Sequence, residues 1–104
     1  MSDGRIPLAD AFRQKLNESV GPVGYGDLSA HLQRDAVFVV APSIELVDCG
    51  VAVAMDEVET VRMWIETGAL RKPSAAERAQ WAAHGGTFLS LVVQPFVLVR
   101  IESP

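Results

Sequence analysis

The run from Thr87 to Ile101, TFLSLVVQPFVLVRI, constrains the fold more than any other segment, because nearly every residue in it is β-branched, aromatic or leucine and only Pro95 breaks the series. A strand with one face in water alternates apolar with polar residues, whereas this one is apolar on both faces. Its second face therefore needs a cover. No catalytic or cofactor motif accompanies the run to account for it otherwise. Pro95 has no N–H to give a ladder, which predicts a bulge or an edge position there.

With 104 residues the chain is expected to form one domain, residues 1–104, in which 1–20 make a peripheral N-terminal helix and 22–101 the core. A domain of this size leaves much of itself exposed, so a mean hydropathy of +0.21 implies that some apolar surface ends at an interface. The formal net charge of −4 and nine scattered basic residues argue against nucleic-acid binding, which needs clustered Lys and Arg to displace counterions. Cys49 is the only cysteine, so one chain forms neither an internal disulfide nor a thiolate metal cluster, and a reducing compartment is expected. The N-terminal segment lacks the pattern of a secretory signal, and no window reaches the roughly 18 apolar residues that a membrane span needs. The expectation is a soluble cytoplasmic protein with no cofactor.

Residues 8–19 place Leu8, Ala11, Phe12 and Leu16 at helical spacing, which predicts an amphipathic helix ending before Gly21. Gly21 to Gly26 reads as a loop, and Asp27 as the cap of a short helix through Gln33. The run AVFVVA, residues 36–41, predicts a buried strand. Pro42-Ser43 is then read as the turn into a second, antiparallel strand from Ile44 to Met55. Asp56 and Glu57 suit the positive end of a helix carrying Val58, Val61, Trp64 and Ile65, with Gly68 as its left-handed stop. Ser74 and Glu77 have the spacing of a capping box, predicting a helix to His84. Together these give an α+β fold, a small, mainly antiparallel sheet of three to four strands with helices packed on one face.

Several segments also carry a resemblance: Pro42 to Val47, Asp56 to Gly68 with Val61 and Trp64, Ser74 to Trp81, and the ending Val92-Val93-Gln94-Pro95-Phe96-Val97-Leu98-Val99. They resemble the small bacterial family known only as domain of unknown function 2288, over roughly residues 22–101. The chain departs from that pattern at Phe88 and Phe96, where family members often carry tryptophan, and at Cys49-Gly50. The resemblance implies a bacterial, cytoplasmic protein and brings no catalytic residue with it.

His31 and His84 lie near the ends of predicted helices with no metal-ligand spacing between them, so a metal or acid–base role is not expected. Cys49, among valines, reads as a core thiol whose burial blunts its nucleophilicity. Gly21-x-x-Gly24-x-Gly26 follows a helix rather than a strand and reads as a linker, not a phosphate loop. Asp48 interrupts a buried-type segment, so it is expected either to pair with Arg100 or Arg62, or, with Glu45 and Arg100, to form a polar ligand site. Trp64 reads as core. Trp81 is either core or a surface anchor, depending on which side of its alanine-rich helix packs inward.

The function expected from these features is a non-catalytic protein-interaction module, a homodimer or an accessory subunit of a larger bacterial complex. Its candidate interface residues are Met63, Trp81, Phe88 and Phe96, and its partner is a second copy or a larger protein. The alternative is a small-ligand binder with a pocket between sheet and helices. An enzyme is not expected, since no nucleophile, base and oxyanion donor are grouped in the sequence.

Overall fold

The computed structural model of the chain describes residues 8–101. Helix α1 (Leu8–Ser19) leads into an edge strand β1 (Gly21–Gly24) and helix α2 (Tyr25–Gln33), followed by strand β2 (Val37–Val40). Two consecutive helices, α3 (Leu46–Ala54) and α4 (Val58–Thr67), precede the two-residue strand β3 (Leu70–Arg71) and helix α5 (Ala75–His84). The chain closes with β4 (Thr87–Val93) and β5 (Phe96–Ile101).

Within the described residues the strands form one sheet in the order β1-β4-β5-β2-β3. Neighbours pair antiparallel except β2 and β5, which run parallel with Val37 opposite Val97 and Val39 opposite Val99. The α+β class stands. The sheet is larger than the three to four strands expected, and it is mixed.

The C-terminal run is a hairpin rather than one long strand. Val93 pairs with Phe96, so Gln94 and Pro95 form its two-residue turn, where the missing N–H of proline costs no ladder bond. In β5, Val97 and Val99 face one side and Leu98 the other, and all three are at most 3% exposed. Helices cover both faces. On one side Leu16 of α1 and Leu46, Cys49 and Val51 of α3 pack against Val40, Leu91, Val93 and Leu98. On the other, Leu28 and Leu32 of α2 and Trp81 of α5 pack against Val37, Val39, Phe88, Val97 and Val99. The expectation of helices on one face is thus corrected: the middle of the apolar tail finds both covers inside its own chain, while Val92, Phe96 and Ile101 stay exposed. Each of the buried valines and leucines contributes about 1.5–3 kcal/mol by leaving water.

The second correction concerns Ile44 to Met55, read as a strand and found as α3. Leu46, Cys49, Gly50 and Val53 recur at i, i+3, i+4 and i+7, the face of a helix as well as half of a strand pattern. Because Val51 and Ala52 are buried too, α3 is apolar almost all round, and the helical contrast that would distinguish it from a strand is lost. Gly50 brings the helix against the sheet: a Cβ there would lie 2.6 Å from Leu91 Cδ2 and 3.1 Å from Leu16 Cδ1. The third correction is β1, in the expected loop. Its pairing with β4, Val23 opposite Phe88, holds it at the sheet edge, where Pro22 is tolerated. Helix α2 accordingly starts at Tyr25, ahead of Asp27.

Local chemistry fares better. Gly68 ends α4 at φ +81°, and the Ser74–Glu77 capping box starts α5 as expected. Of the predicted α1 stripe, Leu16 is buried and Ala11 exposed, while the Leu8 and Phe12 side chains lie outside the described residues. No helix among the described residues is long and apolar enough to cross a membrane.

An apolar groove as candidate functional site

Helix α4 carries an apolar stripe yet buries no residue fully. Val61 and Trp64 rest against the core, and the side of the helix bearing Val58 and Ile65 is left 50% and 53% exposed at those residues. Between that side and the sheet runs a groove of about 440 Å³. Its floor and far wall come from the C-terminal turn of α3 (Ala52, Val53) and from Phe38 of β2, Leu70 of β3, and Phe96 and Leu98 of β5. Phe38 and Phe96 meet edge to face with centroids 5.6 Å apart and form an aromatic wall. The polar residues of the lining are Asp56 and Glu57 at the α3–α4 corner and Arg62 and Glu66 along α4. Asp56 turns that corner in the left-handed region, φ +57°, which aspartate tolerates better than most side chains.

Of the interface residues read from the sequence, only Phe96 lies on this groove. Met63 is 54% exposed but is not part of the lining. Trp81 and Phe88, 7% and 1% exposed, stack edge to face at 4.8 Å within the core under α2 and α5, so their apolar area is used inside the chain. For Trp81 the core alternative is the one the structure shows.

The polar trio Glu45, Asp48 and Arg100 does not converge. Asp48 pairs with Arg13 of α1, neither Arg100 nor Arg62, and so ties α1 to α3. Arg100 donates through Nη2 to the carbonyl oxygens of Ala41 and Ile44, bracing the turn between β2 and α3, while its Nε is buried without a partner. Glu45 is exposed ahead of α3. A smaller cleft of about 290 Å³ touches Arg100 and Arg71, but both guanidinium groups are engaged, the second with Glu77.

Cys49 is fully buried, and desolvation pushes its thiol up to about 11, which keeps it protonated and inert at neutral pH. His31 contacts Arg34 through Nδ1, and His84 is exposed at the end of α5. Among the described residues no three His, Cys, Asp or Glu side chains are grouped to hold a metal ion.

Phe96 apart, sequence reasoning missed the whole lining of the groove, including Val58 and Ile65 of α4 and the carboxylates of Asp56, Glu57 and Glu66. Val58 and Ile65, seven residues apart, are read from the sequence only as members of the apolar helix that carries the core residue Trp64. Val58, Val61, Trp64 and Ile65 form a stripe of the ordinary width of a core-facing helix, so the sequence carries no signal that one edge of it stays open.

These features define a small α+β domain with helices on both faces of a mixed sheet and an apolar groove open beside one helix. The chain belongs to the family described as protein of unknown function (DUF2288), which it matches over residues 11–101, taking in most of α1 as well as the segment from 22 onward. It is similar to the protein PA1075 from Pseudomonas aeruginosa, solved in solution by NMR, at 21% identity over 100% of this chain and 94% of that one, with a TM-score of 0.75. That likeness shows the fold alone. No curated protein matches the chain.

Proposed function

We propose that the protein is a non-catalytic interaction module of the bacterial cytoplasm, an accessory subunit or a self-associating one, working through the groove beside α4. The observation that carries this reading is the pair Val58 and Ile65, half exposed opposite Phe38 and Phe96. A contiguous apolar furrow on a small domain marks a contact site, and covering it contributes about 25 cal/mol for each Å² removed from water. The lining offers no histidine, cysteine or hydroxyl nucleophile, so its chemistry is that of binding. The two apolar faces of the tail do not by themselves call for an interface, because α1, α2, α3 and α5 cover its central residues. The groove supplies the contact surface instead, with Phe96 and Leu98 of that tail in its lining.

A second reading, a small apolar ligand in the same groove, is favoured by its volume, which falls within the roughly 300–1,000 Å³ typical of small-molecule sites. The test compares the wild type with Val58→Ser/Ile65→Ser in native mass spectrometry after gentle purification from its own organism. The expected result is a bound protein, foreign or a second copy, on the wild type and its loss from the double variant with the melting temperature unchanged. Identical spectra would remove the groove from the account, and a small molecule released only by the wild type would establish the second reading.

A further inference from the structure

The groove has a charge as well as a shape, and the charge narrows its occupant. Its lining includes three exposed carboxylates, Asp56, Glu57 and Glu66, and a single guanidinium, Arg62, which leaves two net negative charges beside an apolar floor. The ion pairs among the described residues, Arg13–Asp48, Arg71–Glu77 and Lys72–Asp35, involve none of these four. The apolar wall from Val58 to Ile65 spans seven residues of helix, about 10 Å, over which a docked helix presents anchors at i, i+4 and i+7. We propose that the groove receives a basic amphipathic helix of a partner protein, its apolar anchors between α4 and the Phe38–Phe96 wall and its Lys or Arg residues against Asp56, Glu57 and Glu66. This rests on the groove being the contact site, as argued above.

Two other occupants fit less well. A second copy related by a two-fold axis sets this acidic rim against itself, in a chain whose formal net charge is already −4, and like charges across an interface oppose association. A small ligand would leave much of itself wet in a furrow whose wall residues are half exposed, whereas such sites bury about 70–90% of their ligand.

The test selects helical peptides displayed on phage, with leucine fixed at i, i+4 and i+7 and all flanking positions randomised, on the full-length protein. Binders to Val58→Ser/Ile65→Ser are removed. The expected pools are enriched in Lys and Arg at the flanks, and a selected peptide loses roughly tenfold in affinity on Glu57→Gln/Glu66→Gln and again at high salt. Groove-dependent peptides with neutral or acidic flanks would overturn the basic partner and leave the groove as contact site. So would a concentration-dependent dimer of the full chain that Val58→Ser/Ile65→Ser abolishes, since a second copy would then be the occupant. A selection in which no binder of the wild type survives the removal of those that bind Val58→Ser/Ile65→Ser would overturn both this inference and the groove reading.

Discussion

Glu77 is the best-connected charged side chain among the described residues. Its carboxylate accepts two hydrogen bonds from the Arg71 guanidinium, at 2.6 and 2.9 Å, and a third from the backbone N–H of Ser74 at 2.9 Å, while Ser74 Oγ accepts from the Glu77 N–H. The bonds from Arg71, first of all, hold this carboxyl down at about 2, below its ordinary 4.5. A carboxylate whose folded value is depressed contributes stability that is complete above the unfolded value and is lost as pH falls from there toward the folded one. The window is therefore from 4.5 down to about 2. Because the Arg71 side chain is 43% exposed, solvent screens the pair, and the contribution is about 1 kcal/mol. In urea titrations at about pH 6 and about pH 2.5, wild type should lose about 1 kcal/mol more than Glu77→Gln. Parallel losses would mean that the carboxylate is not held in this geometry.

Gly50 tests the packing of α3 at the same scale. An alanine there gains about 1 kcal/mol of helix propensity, offset by the shift its methyl forces on Leu91 and Leu16. The two effects should nearly cancel. A valine adds volume with no further propensity, and overpacking of a core by that much costs about 1–3 kcal/mol. Gly50→Val is expected to lower the unfolding free energy by about 2 kcal/mol and Gly50→Ala by less than about 1. Equal stabilities for all three chains would mean that α3 does not approach β4 this closely.

At the scale of elements, what could be read in advance follows from how local each signal is. The start of α5 and the stop of α4 were legible because Ser74, Glu77 and Gly68 act on backbone groups within four residues of themselves. Helix α3 was not, since a helix squeezed between α1 and the sheet is apolar on most sides, and tertiary burial overrides the strand preference of Val47, Val51 and Val53. Strand β1 was hidden for the opposite reason: two glycines and a proline carry no strand signal, and the pairing with β4 comes from residues 87–90, far along the chain. The turn at Gln94-Pro95 was misread because a proline inside an apolar run is compatible with a bulge, an edge or a reversal, and only the partner of β5 decides among them. The groove was least legible of all. It is assembled from α3, α4, β2, β3 and β5, and it exists because α4 rests on the core through Val61 and Trp64 alone. Asp48 shows the same limit at a single position, since its partner Arg13 lies 35 residues away on a helix assigned to the periphery.

For the whole molecule the decisive feature is unequal cover. Strands β2 and β5 lie inside the sheet with helices on both faces, and Val37, Val40, Leu98 and Val99 are at most 1% exposed. Helix α4, by contrast, buries no residue fully and has the groove along one side. Segments with few buried apolar contacts open at lower free energy than the core, so the molecule should not unfold as one unit under native conditions. In native-state hydrogen exchange the amides of β2 and β5 are expected to exchange only through global unfolding. Those of α4 should exchange through a local opening at least about 2 kcal/mol lower. Adding a groove-binding peptide should raise the protection of α4 selectively, because an occupant that contacts Val58 and Ile65 ties the helix to Phe38 and Phe96 and removes the opening by mass action. If α4 already exchanges with the free energy of β5 in the unbound protein, the helix is fixed without an occupant, and the groove is a finished surface rather than one arranged to be filled.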